Sequence, residues 1–87
     1  MFFVYVLYSY KFERTYTGLT NNLERRLKEH NNKQNRTTKA FVPWELIYRE
    51  EVETRIEARK REKYLKSGIG REYINTIINK RPRSSTE

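Results

Sequence analysis

Phe2-Phe3-Val4-Tyr5-Val6-Leu7-Tyr8-Ser9 is the stretch on which the reading of the fold turns. It is uncharged and rich in β-branched and aromatic side chains. A run that short between polar flanks reads as a strand buried on both faces, which makes it the central strand of a sheet. Its apolar part, Phe2 to Tyr8, is seven residues long, where a membrane-spanning helix needs about 20. No charged n-region with a small-residue cleavage site accompanies it, so the chain is expected to stay in the cytoplasm with no membrane partner. After the polar break Lys11 to Arg14, Thr15-Tyr16-Thr17-Gly18-Leu19 returns to strand-type residues. The two runs pair most simply as an antiparallel hairpin. A glycine inside a strand, here Gly18, marks a bulge or a close approach of another group.

Further along, Asn21 followed three residues later by Glu24 has the form of a helix N-cap with its capping-box partner. Leu23 and Leu27 then recur at helical spacing, so a helix is expected from about Asn22 to Asn31. Asn32 to Lys39 has no apolar anchor and reads as a mobile basic loop, and Pro43 restricts Val42 to extended geometry. Trp44 to Tyr48 resumes as a third strand. Thr54-Arg55-Ile56-Glu57 repeats the capping-box pattern, and helix-favouring residues run on to Lys66, with Ser67-Gly68 as the stop. Tyr73, Ile74, Ile77 and Ile78 give the segment Arg71 to Asn79 the spacing of a core-facing helix. The sequence therefore predicts one α+β domain over 1–80, a small three-stranded antiparallel sheet flanked by helices, with 81–87 as a flexible tail.

The 87 residues leave room for one compact core and not two. Lys plus Arg number 19 against 11 Asp plus Glu, a net charge of +8 that favours an anionic partner such as nucleic acid. Cysteine is absent and histidine occurs once, which excludes disulfide frameworks, thiol catalysis and multi-histidine metal sites. Any metal used must be oxygen-ligated.

Several polar residues stand where the periodicity asks for apolar ones. The inward stripe of Leu23 and Leu27 also passes through Arg26 and His30. The plain alternative to a functional role is that both lie at the stripe's edge and snorkel to water. In the second helix Ala58, Glu62, Leu65 and Ile69 fall on one line, and Glu62 is its charged member. An unpaired buried ion costs several kcal/mol, so Glu62 must meet a metal, water in a cleft, or a cation such as Arg26 or a neighbouring lysine. Glu57 reads as a helix cap. Tyr5 and Tyr16 sit on the paired strands, where tyrosine is ordinarily packing material.

Together these residues resemble the GIY-YIG nucleases, whose catalytic module also forms the incision half of the bacterial excinuclease nicking subunit. Phe3-Val4-Tyr5 stands for the first signature and Tyr16-Thr17-Gly18 for the second. Arg26 follows that glycine by eight residues and His30 lies four further on, at the family's helix arginine and its His or Tyr. Ala58 to Glu62 is similar to the segment carrying the family's metal-binding glutamate. The resemblance extends over about residues 2 to 79, and phrases such as Pro-Trp-Glu-Leu-Ile-Tyr are similar to the small stand-alone, excinuclease-like branch. The first signature lacks its glycine, Thr17 replaces an isoleucine, and Leu19 stands where the excinuclease module has a lysine. Asn75 is the nearest counterpart of a further family asparagine.

The resemblance implies the GIY-YIG fold and a metal-dependent DNA endonuclease of repair or recombination. Its site would comprise Tyr5, Tyr16, Arg26, His30 and Glu62, with Glu62 holding one Mg2+ or Mn2+ ion. Arg26 would pair with the phosphate, and Tyr16 would deprotonate or orient the attacking water with Tyr5 and His30 positioning it. His30 competes for the role of base because the reference pKa of histidine lies near neutrality. DNA contacts are expected from Lys28, from Arg36 and Lys39 in the polar loop, and from Arg59, Lys60, Lys63 and Lys66. The rival reading is a non-catalytic nucleic-acid-binding module on the same fold. A protein partner stays open.

Overall fold

The computed structural model describes residues 1–80. In chain order the elements are β1 (Phe2–Ser9), β2 (Arg14–Thr20), α1 (Leu23–Asn31), a single 3-10 turn (Lys39–Phe41), β3 (Glu45–Val52), α2 (Arg55–Lys66) and α3 (Gly68–Lys80). The strands form one antiparallel sheet in the order β2-β1-β3. β1 is the middle strand, and Val4 to Ser9 are all buried. The α+β architecture is the expected one.

Strand alternation divides the core between the two faces of β1. Tyr5 and Leu7 pack with Leu23 and Trp44, beneath α1 and the segment after it. Val4, Val6 and Tyr8 pack with Ile47, Ala58, Leu65 and Ile74, beneath α2 and α3. The sheet thus separates an α1 layer from an α2–α3 layer, and anything reaching across must pass a sheet edge.

Four expectations are corrected. The N-cap of α1 is Asn22 rather than Asn21; its side chain accepts from the Arg25 amide, and Glu24 simply lies in the first turn. β3 continues to Val52 instead of ending at Tyr48, because Arg49, Glu50 and Glu51 still pair with Tyr5, Val4 and Phe3 of β1. α3 starts at Gly68 and not Arg71: the chain is extended at Ser67 and Gly70 permits an immediate second helix. A Cβ on Gly70 would overlap the Tyr64 carbonyl, so α2 and α3 meet through a bare backbone. This break also takes Ile69 off the expected line of α2, and its side chain is 67% exposed.

The fourth correction concerns Asn32 to Lys39, which is anchored by polar side chains instead of apolar ones. Trp44 Nε1 donates to the Thr38 carbonyl at 2.9 Å. The Asn31 side chain bridges the Trp44 backbone, accepting from its amide at 2.7 Å and donating to its carbonyl at 3.1 Å. Asn35 Oδ1 accepts from the Thr37 and Thr38 amides. Val42 is extended before Pro43, as expected, and the bond between them is cis. The capping box at Thr54 and Glu57 is present. The expected tail, 81–87, lies outside the described residues.

Candidate active site

The β1–β2 register decides which side chains meet. Tyr5 stands opposite Gly18 and Leu7 opposite Tyr16, so the two tyrosines are diagonal neighbours on the α1 face of the hairpin. Their ring centroids lie 6.3 Å apart. Gly18 makes that possible: a Cβ there would fall 2.7 Å from Tyr5 Oη and 3.0 Å from Tyr16 Cε2. The close approach expected of this glycine is therefore made by two phenols, and its backbone φ is not positive.

α1 lays its last turn over the pair. His30 is fully buried, with its ring 4.9 Å from that of Tyr16 and 5.9 Å from that of Tyr5. Its Nε2 lies 3.0 Å from Tyr5 Oη and its Nδ1 lies 2.8 Å from Thr38 Oγ1. A neutral imidazole donates through one nitrogen and accepts through the other, so Tyr5, His30 and Thr38 form one directional chain of hydrogen bonds. Burial, with the Arg26 charge behind it, lowers the His30 pKa to about 4. Burial likewise pushes the Tyr5 phenol up to about 12, opposed by the Arg26 guanidinium and assisted by the charges of Tyr16 and Glu62. Both groups are neutral near pH 7. The snorkelling alternative fails for His30, which has both nitrogens engaged and no exposed surface.

Arg26 does lie at the rim. Its side chain is about one-third exposed, and Nη1 donates to Glu29 Oε1 at 2.8 Å. That carboxylate strengthens the hold of the guanidinium on its proton. Glu62 approaches from the opposite layer. Arg61 reaches the β3 side, donating to both oxygens of Glu50 at 2.8 and 2.7 Å. Successive helical residues are rotated by about 100°, which turns Glu62 away from Arg61. Its Oε2 accepts from Lys66 Nζ at 3.0 Å, so of the counter-ions anticipated for it a neighbouring lysine is the one observed.

Tyr16 is a wall shared with a second space. A groove of about 400 Å³ runs between β2 and the α2–α3 junction, lined by Thr15, Tyr16, Thr17, Lys66, Arg71 and Asn75 over a floor that includes Leu65 and Ile74. The basic residues expected to touch DNA do not form one patch. Arg59, Lys60 and Lys63 flank the exposed Ile56 in a shallow surface of α2, and Lys66 lines the groove. Lys28 lies on the exposed side of α1, with Arg36 and Lys39 on the segment that Thr38 anchors.

Among the described residues no cluster of three or more His, Cys, Asp or Glu side chains could hold a metal ion. The hard carboxylate of Glu62 fits an oxygen-seeking ion that takes most of its ligands from water and substrate. It does not fit a dedicated protein cage. Thr38 was missed by sequence reasoning, since it carries no periodic signal. Glu29 was missed as well, although its spacing of three residues from Arg26 carries the signal of an intrahelical partner.

Residues 1–75 match the GIY-YIG catalytic domain, and the chain belongs to that family. The family is one of nucleases that generally depend on a divalent metal. Within it, the chain is similar to a UPF0213 protein of Clostridium perfringens, 41% identical over 81 residues that cover 92% of this chain and 86% of the relative. A UPF0213 protein of Desulfotalea psychrophila is 47% identical over 53 residues, covering 59% of this chain and 48% of the relative. The solution NMR structure of a UPF0213 protein from Bacillus halodurans superimposes with a TM-score of 0.52 at 28% identity, covering 88% of this chain and 85% of that one.

Proposed function

We propose that the domain is a metal-dependent endonuclease that hydrolyses DNA phosphodiester bonds at the β2 edge of the sheet, in a repair or recombination setting. The observation that carries this reading is the convergence of Tyr5, Tyr16, Arg26 and His30 around the bare backbone of Gly18. Packing alone would not require a buried imidazole and a buried phenol there.

The roles differ by exposure. Arg26, at the rim, grips the scissile phosphate with its planar fork and offsets the charge that builds on the phosphorus-bound oxygens. Tyr16, half-buried on the α1 face at the border of the groove, orients the attacking water in line with the departing 3′ oxygen. Water oxygen bonds to phosphorus, the phosphorus–O3′ bond breaks, and the water's proton leaves to solvent or to the departing oxygen. Tyr5 and His30 hold Tyr16 in place from buried positions, and both ring nitrogens of His30 are engaged, so His30 is a positioning residue and not the base. Glu62 would hold the divalent ion, which when bound supplies positive charge to the phosphate and the leaving oxygen.

One observation favours the non-catalytic alternative: Glu62 already has a cation, Lys66, on one oxygen. Glu62→Gln separates the two readings. A labelled branched or nicked DNA is incubated with and without Mn2+. The enzyme reading expects wild-type nicking that Glu62→Gln abolishes while binding persists, and absence of nicking by the wild type on every substrate would refute it.

A further inference from the structure

The groove beyond Tyr16 holds a cation that neither the fold nor the proposed chemistry uses. Arg71, in the first turn of α3, lines it, and the Arg71 guanidinium enters no ion pair, side-chain hydrogen bond or ring contact among the described residues. The nearby Lys66 is engaged by Glu62. The hydroxyls of Thr15 and Thr17 and the amide of Asn75 complete the polar wall. A planar guanidinium among neutral hydrogen-bond donors, with no carboxylate in the lining, is the composition that takes a phosphate in a bidentate grip.

Position makes the ligand more specific. Arg26 comes from the layer on one face of the sheet and Arg71 from the layer on the other, with Tyr16 between them. A nucleic-acid strand whose scissile phosphate lies at Arg26 and Tyr16 reaches this groove if its next phosphate passes Tyr16, which lines both places. The groove is open along that course. We propose that it is a subsite for the backbone phosphate adjacent to the scissile one, with Arg71 as its principal ligand. The proposal rests on the endonuclease reading for the position of the scissile phosphate.

The test uses binding, so that it does not share its outcome with cleavage. A labelled nicked duplex is titrated in EDTA between 50 and 200 mM salt against wild type, Arg71→Gln and Arg71→Lys. Losing one phosphate contact should lower the slope of log affinity against log salt by about 0.9, about 3.5-fold over that range. Arg71→Lys should keep most of the slope while binding more weakly, because a point charge replaces the fork. Thymidine 3′,5′-bisphosphate and thymidine 5′-monophosphate, followed by amide chemical shifts, locate the contact. The bisphosphate should bind more tightly and shift Thr15, Tyr16 and Thr17 in wild type but not in Arg71→Gln. An unchanged slope in Arg71→Gln overturns the subsite, as does equal binding of the two nucleotides or their binding away from those amides. If Arg71-dependent binding is found in a protein that nicks nothing, the subsite stands and the endonuclease reading falls.

Discussion

Gly18→Ala is the sharpest perturbation the geometry offers, because it adds one methyl group where two phenols already meet. The new Cβ would lie 2.7 Å from Tyr5 Oη, 2.9 Å from Tyr5 Cζ and 3.0 Å from Tyr16 Cε2, against about 3.5–4.0 Å for an ordinary carbon contact. The rings must withdraw by several tenths of an ångström. Tyr16 has room at the groove; Tyr5 has none, being 1% exposed and bonded to His30, which is itself held by Thr38. Overpacking of this kind costs about 1–3 kcal/mol, and stretching the buried Tyr5–His30 bond adds about 1 kcal/mol. The lower unfolded-state entropy of alanine returns about 0.4–1 kcal/mol. The net expectation is a loss of about 1–3 kcal/mol, or roughly 4–24 °C in Tm for a domain of this size. Thermal and urea unfolding followed by circular dichroism measure it, and the nitrogen shifts of the sole imidazole report whether the His30 chain is disturbed. Gly68→Ala is the control: a Cβ there meets nothing within 4 Å, so that variant should match or exceed the wild type. If Gly18→Ala stays within 0.5 kcal/mol of the wild type with an unaltered imidazole, or if Gly68→Ala is equally harmful, the crowding argument is wrong.

The remaining predictions concern charge. His30 has a folded pKa of about 4, below the unfolded value of about 6.5, so its contribution is complete above pH 6.5 and lost as the pH falls toward 4, to the extent of roughly 3 kcal/mol. Urea midpoints at pH 7.5, 5.5 and 4.5 should show this slope, and His30→Gln should flatten it relative to the wild type. On the far edge of the sheet, Glu50 is held below the usual carboxylate range by Arg61, and its side chain is only 15% exposed. Arg61→Met should therefore cost about 1–2 kcal/mol, discounted because the Arg61 side chain is 42% exposed. The same variant should leave Mn2+-dependent nicking unchanged; a loss of nicking at full stability would place that ion pair in the site instead.

What the sequence disclosed and what it withheld follow the kind of interaction involved. β1, the hairpin and the α2 capping box were legible because each is written in neighbouring residues: an uncharged β-branched run, a return of strand-formers, a threonine three residues from a glutamate. Gly18 was legible as a bulge or a close approach, and only its place opposite Tyr5 decides for the second. The extension of β3 through Arg49, Glu50 and Glu51 was not, because it depends on distant pairing with β1 and on Arg61, which neutralises the half-buried Glu50. The break at Ser67 was read correctly, but the start of α3 was placed three residues late, at Arg71: Gly68 and Gly70 look like a stop, yet Gly70 is glycine because Tyr64 and Leu65 press against it. The site residues Tyr5, Tyr16, Arg26, His30 and Glu62 were picked out by residue type at intruding positions and by family spacing. Their division into buried supports and rim groups required the third dimension.

That division has a consequence for the segment after α1. A small core loses stability by enclosing a phenol, an imidazole and a hydroxyl unless all of them are paired, and none of the buried side-chain polar atoms among the described residues lacks a partner. Thr38 supplies two of the necessary contacts, its hydroxyl to His30 and its carbonyl to Trp44. Moving the segment would break both at once and leave the His30 Nδ1 unpaired beneath α1. Arg36 and Lys39, which flank Thr38, are thereby tied through His30 to Tyr5 and, across Gly18, to Tyr16. A basic segment built to swing freely would leave Thr38 exposed. This one is fixed instead, through Thr38, to the buried imidazole that both tyrosines contact, and under the proposed function its cations would meet a phosphate backbone in a set register.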